Sequence, residues 1–147
     1  MRAKFLIWLA ALLTLVAWSA SAATTQVTLV LPVDTAKPGD TVLAGIHMRM
    51  NPHWHTYWKN PGDAGEATSI QWNLPRGIAA GEIEWPLPNK IVTGPVITYG
   101  YDDEVVLLVP LKLDANLAPG SYQLTFTPPA GCSTNKRPTS TPAMLRV

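Results

Sequence analysis

Prolines and glycines interrupt this chain so often that, past its first two dozen residues, no stretch of a dozen residues keeps a helical period. Proline breaks helix interiors, and the pattern that survives between the interruptions has period two. Val27, Leu29 and Leu31 alternate with Thr28 and Val30 before Pro32 stops the run. After the turn-like Lys37-Pro38-Gly39-Asp40, Val42, Ala44, Ile46, Met48 and Met50 share one face. Thr41, Leu43, Gly45, His47 and Arg49 take the other, as in a half-buried strand. Ser69–Leu74 and Glu82–Trp85 read as short strands closed by Pro75 and Pro86, which cannot donate to a ladder. Glu104–Leu113 is almost continuously apolar and reads as a central strand buried on both faces, with Pro110 marking a bulge or an edge. Tyr122, Leu124 and Phe126 alternate after the turn Ala118-Pro119-Gly120, and Ala143–Val147 can add a last edge strand. About seven short strands at this spacing indicate an all-β fold, an immunoglobulin-like β-sandwich, with Ile46, Ile70, Trp72, Leu107, Leu124 and Phe126 in its core.

The N-terminus is of another kind. In MRAKFLIWLAALLTLVAWSASA, Arg2 and Lys4 precede an apolar run from Phe5 to Trp18 broken only by Thr14, and Ala20-Ser21-Ala22 follows as a small-x-small cleavage site. That order is a secretory signal peptide over residues 1–22, and the run is shorter than the roughly 20 residues a bilayer span needs. Cleavage leaves one domain, residues 23–147, in an oxidising compartment outside the cytoplasm. Arg2 and Lys4 leave with the signal, so 9 basic residues face 10 acidic ones and the net charge falls from +1 to about −1. No basic block remains to neutralise a phosphate backbone, so nucleic acid is not the expected partner.

Chemistry-bearing residues are sparse. Cys132 is the only cysteine, so a disulfide within the chain is impossible. Lys136 and Arg137 nearby could stabilise its thiolate. His47, Met48, Met50, His53 and His55 lie within nine positions and offer a soft thioether–imidazole set of the copper type. Strand parity, however, turns Met48 and Met50 toward the core and His47 away from it. No metal and no cofactor are therefore expected. Hydrolase and phosphate-loop signatures are absent, and Tyr99-Gly100-Tyr101-Asp102-Asp103 reads as a hairpin-like corner. From His53 to Trp72, two histidines, a tyrosine and tryptophans crowd a turn at Asn60-Pro61-Gly62-Asp63, read as an aromatic corner between strands.

The segment His53-Trp54-His55-Thr56-Tyr57-Trp58-Lys59-Asn60-Pro61-Gly62-Asp63-Ala64-Gly65 resembles the signature of the N-terminal periplasmic domain of the thiol:disulfide interchange protein DsbD family. Thr68–Pro75, Glu84-Trp85-Pro86-Leu87-Pro88 and Tyr99-Gly100-Tyr101 follow in the family's order, so the resemblance covers roughly Val27 to Gly131. It implies an immunoglobulin-like sandwich that takes electrons from a following DsbD-type membrane domain. Those electrons pass to periplasmic thioredoxin-fold proteins, including disulfide isomerases and cytochrome c maturation factors, by thiol–disulfide exchange. It also implies that Cys132 is the catalytic thiol and that His55, Tyr57, Trp58 and Asp63 belong to the loop that packs near it or shields it.

The chain departs from the family after Gly131. A second cysteine is expected several residues past Cys132, but Ser133–Thr139 holds none, and Pro138 stands about where it would be. The membrane and C-terminal thioredoxin domains are also absent from these 147 residues. Three explanations stay open: a stand-alone degenerate relative, a fragment or frameshifted part of a longer protein, or a domain that keeps one-thiol chemistry. The alternative from another class is a non-enzymatic periplasmic binding or interaction domain, with copper as its candidate metal. Protein recovered from a periplasmic extract should have the intact mass of a chain starting at Ala23; a mass that retains residues 1–22 would remove the export assignment.

Overall fold

The period-two pattern of Thr41–Met50 organises the observed structure, a computed structural model that describes residues 25–127 and 140–147. Among the described residues every regular element is a strand. In chain order these are β1 (Thr25–Val30), β2 (Thr41–Met50), β3 (His55–Gly62), β4 (Gln71–Asn73), β5 (Ile78–Ala80), β6 (Asn89–Thr93), β7 (Val96–Asp102), β8 (Glu104–Leu113), β9 (Ser121–Thr127), β10 (Ser140–Thr141) and β11 (Ala143–Arg146). They form a five-stranded sheet, β10-β1-β2-β8-β5, and two three-stranded sheets, β11-β9-β4 and β3-β7-β6. Val42, Ala44, Ile46, Met48 and Met50 of β2 and Val105, Leu107, Val109, Leu111 and Leu113 of β8 are buried. They join one core cluster with Leu124 and Phe126 of β9, Leu145 of β11 and Tyr101 of β7. The two small sheets thus cover the inner face of the large one, as an immunoglobulin-like sandwich requires.

Parity explains most of the expected core. Ile46, Leu107, Leu124 and Phe126 are buried, while Ile70 and Trp72 are half-buried and pack against the cluster's edge. The strand Glu104–Leu113 departs from its reading. It is central, paired with β2 on one side and β5 on the other, yet among the described residues only one of its faces is fully buried. Val106, on the outer face, is 41% exposed. An apolar composition cannot by itself report a second layer. Pro110 sits where pairing with the β5 side is interrupted, between the Ala80–Leu111 pair and the Glu84–Leu108 bridge. Its carbonyl accepts from Gly81 N at 2.7 Å on that side. A strand residue aims its N–H and C=O to the same side, so the missing proline donor falls in the gap.

Two further readings are corrected. Within the aromatic corner read from His53 to Trp72, His55–Gly62 is instead strand β3, and of the corner read at Tyr99–Asp103 the residues Tyr99–Asp102 belong to its antiparallel partner β7, with the chain turning at Asp103. Asn60-Pro61-Gly62 lies inside β3, where the register shifts between Tyr57 and Gly62. β3 is the edge strand of its sheet, where a bulge tolerates a proline that would break a central ladder. Glu82–Trp85 contributes only the Glu84–Leu108 bridge rather than a strand. The signal segment and Cys132 lie outside the described residues. Among the described residues no helix is long and apolar enough to cross a membrane.

Because Leu107 is fully buried on the central strand, Leu107→Ala should cost about 2–5 kcal/mol in urea unfolding. Val92→Ala, at a position 62% exposed, should stay within roughly 0.5 kcal/mol; equal losses would contradict this placement of the core.

Candidate functional site

One end of the sandwich carries an unusual concentration of constrained residues. There the chain leaves β2 at Met50 and enters β3 at His55. In the connecting turn Trp54 N donates to Asn51 O at 2.9 Å. His53 adopts φ of 72°, a left-handed conformation that costs a non-glycine residue energy. The turn from β7 to β8 is the single residue Asp103, at φ of 59°, and Met50 N donates to its carbonyl at 2.7 Å. These two are the positive-φ non-glycine residues among the described ones, and they occupy neighbouring turns, since His55 pairs with Asp102 in the ladder. Beside His53 opens a cleft of about 290 Å³ lined by His53, Trp54, His55 and Tyr57. The His55 imidazole meets the Tyr57 ring edge-on, with centroids 5.0 Å apart and planes at 85°.

The cleft is held from behind. Thr56, the next inward residue, is fully buried, and its hydroxyl lies 2.7 Å from that of Thr68. Thr68 donates its single proton to Tyr57 O at 2.8 Å, so Thr56 must be the donor of the first bond. Gly65, at φ of 98°, crosses the Tyr57 ring so closely that any Cβ would overlap it. On the other side of β3, a Cβ at Gly100 would overlap the Thr56 carbonyl, so glycine is required for the approach of the two strands. Next to it Tyr101 is buried and donates to Pro86 O at 2.8 Å, fastening the segment Glu84–Pro88 over this part of the domain. Burial pushes the Tyr101 phenol up to about 12.

The four residues expected to pack near or shield Cys132 are distributed along β3. His55 and Tyr57 share the cleft. Trp58 has the opposite parity and packs half-buried against the core. Its Nε1 is buried without an acceptor among the described residues, and Lys59 Nζ lies 5.4 Å from its ring centroid. Asp63 is at the far end of β3, where its carboxylate accepts from Ile97 N at 2.9 Å and its own N–H donates to Ile97 O at 2.9 Å. It closes the strand's end and does not line the cleft. The soft-ligand set is also divided. Met48 and Met50 are in the core, His47 lies on the outer face 2.6 Å from Glu104, and only His53 and His55 share a space. No group of three or more His, Cys, Asp or Glu gathers among the described residues.

Cys132 falls in residues 128–139, outside the described part, but both flanks are placed. Thr127 ends β9 opposite Gln71, and Ser140 begins β10 opposite Val27. Both lie at the end of the sandwich where β1 starts and β2 finishes, the end that carries the cleft.

The sequence matches the family of the N-terminal domain of thiol:disulfide interchange protein DsbD over residues 21–136. The chain belongs to that family. Among solved structures, the N-terminal periplasmic domain of ScsB from Proteus mirabilis superposes with a TM-score of 0.52 at 23% identity, over 89% of this chain and 49% of that one. This chain therefore spans about half the length of that relative, and the likeness supports the sandwich fold. The seventh ScaB type I cohesin from Pseudobacteroides cellulosolvens gives a TM-score of 0.47 at 14% identity, over 83% of this chain and 92% of that one. No curated protein matches the sequence.

For a DsbD N-terminal-type domain, the motifs that carry the family resemblance here have direct structural causes. Gly100 permits the β3–β7 approach, Tyr101 ties down the Glu84–Pro88 segment, and Gly65 clears the Tyr57 ring. Sequence reasoning gave no role to Thr56, Thr68 or Gly100. The signal for Gly100 was its place in Tyr99-Gly100-Tyr101, whereas nothing in Thr56 or Thr68 hints at a buried hydroxyl pair twelve residues apart.

The Tyr101 shift predicts a stability loss in base. Below about pH 10 both states keep the phenol protonated. As pH rises further the unfolded chain gives up its proton while the native one holds it to about 12, which favours unfolding by up to roughly 2 to 3 kcal/mol. Urea midpoints at pH 8 and pH 11 should diverge more in the unmodified protein than in Tyr101→Phe; equal divergence would show that Tyr101 is not protected.

Proposed function

We propose that this chain, once exported, is a periplasmic thiol–disulfide interchange domain, residues 23–147, whose reactive group is Cys132. The observation that carries the reading is the family match, which runs through Cys132 to residue 136 and so includes the thiol with the sandwich that presents it. The relative from Proteus mirabilis is likewise an N-terminal periplasmic domain. The expected partners are thioredoxin-fold proteins of the periplasm, with electrons supplied by a DsbD-type membrane domain. His55 and Tyr57, at the end where β9 heads toward Cys132, are assigned to shielding the thiol, and Trp58 and Asp63 to holding β3 in place behind them.

The exchange itself needs little from the protein. The Cys132 thiolate attacks one sulfur of a partner disulfide, a new S–S bond forms between the two proteins, and the partner's other sulfur leaves as a thiolate. Release requires a second thiolate to attack Cys132 in the mixed disulfide. The new bond then joins that thiol to Cys132, and the partner departs fully reduced. This chain supplies no second cysteine. It therefore acts as a one-thiol domain: it captures a partner in a one-to-one adduct and turns over only when an outside thiol resolves it.

Reduction of an oxidised periplasmic thioredoxin-fold partner, assayed with the domain in substoichiometric amount and a non-thiol chemical electron donor, should stop at one adduct per Cys132 and vanish in Cys132→Ser. Multiple turnover dependent on Cys132 alone would refute the one-thiol mechanism. Absence of any adduct would refute the thiol assignment.

A further inference from the structure

One large apolar side chain of this domain is fixed in place without being buried. Leu87 is 93% exposed, the most open of the large hydrophobic residues among the described ones. Pro86 and Pro88 flank it. Proline locks its own φ, and the residue before a proline is held in extended backbone, so Leu87 has little conformational freedom. The chain on either side is tied to the sandwich. Glu84 N donates to Leu108 O at 2.8 Å, the Tyr101 hydroxyl donates to Pro86 O at 2.8 Å, and Asn89 pairs with Gly100 in the β6–β7 ladder. These anchors hold the backbone of the segment and leave its leucine in solvent. A scattered apolar side chain on a surface is ordinary. A leucine pinned on both sides is also preorganised, so a partner that covers it has little left to order.

The place of Leu87 in the fold decides which partner reaches it. β6 runs antiparallel to β7, so going back from Asn89, opposite Gly100, toward Leu87 follows β7 from Gly100 toward Asp102. The Tyr101–Pro86 bond holds the segment to that course. Asp102 in turn pairs with His55. Leu87 therefore stands level with His55, two strand spacings or about 10 Å across the sheet. This is the end of the sandwich that holds the His53–Tyr57 cleft and both flanks of the segment containing Cys132. A specific protein interface covers about 800 Å² on each partner, a patch roughly 16 Å in radius. A protein whose disulfide is brought to this end covers Leu87 as well. Glu84, Asn89 and Lys90, exposed neighbours in the chain, give the leucine a polar margin.

We propose that Leu87 is a docking contact for the oxidised thioredoxin-fold partner, seated in an apolar socket beside that partner's disulfide. The inference rests on the thiol–disulfide reading of Cys132 and adds what favours a protein over a small disulfide. The leucine side chain has no charge and no hydrogen-bonding group, so a polar socket would lose its water without a replacement bond. Thiolate attack follows a reversible encounter between the two proteins, and the affinity of that encounter multiplies the rate at which the mixed disulfide forms. A small disulfide reaches the sulfur without covering Leu87 and gains nothing from it.

The rate of mixed-disulfide formation by Cys132 is to be measured with two oxidants, an oxidised periplasmic thioredoxin-fold protein and oxidised glutathione. Leu87→Ser should slow capture of the protein about tenfold or more, the effect of losing one buried leucine from the encounter, and leave the glutathione rate unchanged. Leu87→Met, which keeps the apolar volume, should stay within about twofold of the unmodified chain. Val33→Ser is the control. Val33 is 46% exposed beyond the end of β1 that lies away from the cleft, and its replacement should slow neither reaction. Capture of the protein at full rate by Leu87→Ser would overturn the proposal and leave the thiol assignment standing. Equal slowing with both oxidants, or slowing by Val33→Ser, would also overturn it, because the effect would then lie in the thiol or the fold. A chain that reacts with glutathione but never with the protein would remove the exchange reading, and the docking contact with it.

Discussion

The antiparallel register of β2 against β8, from Thr41 opposite Lys112 to Arg49 opposite Glu104, is the constraint on which the rest of the domain depends. Strand side chains alternate with period two, so this register puts Ile46 beside Leu107 and Ala44 beside Val109, all fully buried. A one-residue slip of β2 would expose its buried row and bury His47 and Arg49 in its place, and a slip of β8 would do the same with Glu104. Every other layer of the sandwich packs on the surface this pair creates. The turn at the register's end, where Met50 bonds to Asp103, also sets the geometry of the cleft.

The two faces of that ladder serve different ends. The inner face is closed by β9, β11 and β7 and carries the stability of the fold. The outer face is left open among the described residues, with Val30, Leu43 and Val106 exposed on it. His47 shows how the outer face remains tolerant of polar groups: its imidazole lies 2.6 Å from Glu104, with Arg49 3.9 Å from the same carboxylate. Pairs this exposed contribute little to folding.

Strain at the other site has a comparable logic. His53 and Asp103 hold left-handed backbone in two turns that meet at one end of the sandwich. Their cost is borne because the adjoining strands over-determine both turns. The buried Thr56–Thr68 hydroxyl pair and the Tyr101–Pro86 bond fix the floor and the side of the same region. Under the proposed function such rigidity would serve the exchange, since a partner's disulfide must approach in line with the attacking sulfur.

Much of this was determined by the sequence alone. Alternation named the inward residues of β2 and β9, the prolines marked where ladders stop, and the ordered motifs from His53 to Tyr101 carried the family. Parity also separated His47 from Met48 and Met50, which are buried in the core. Tertiary structure decided the rest, because those outcomes depend on what lies opposite a residue rather than on its neighbours in the chain. Asn60-Pro61-Gly62 looks like a turn, and is a strand because β7 pairs beside it and a bulge on the open edge absorbs the proline. Glu104–Leu113 looks buried on both faces, and is buried on one because only one layer reaches it. Asp63 sits nine residues from Trp54 in a single motif, yet an extended strand carries it to the far end of the sheet. Local pattern sets which way a side chain points; only the assembled sheets determine what, if anything, it points at.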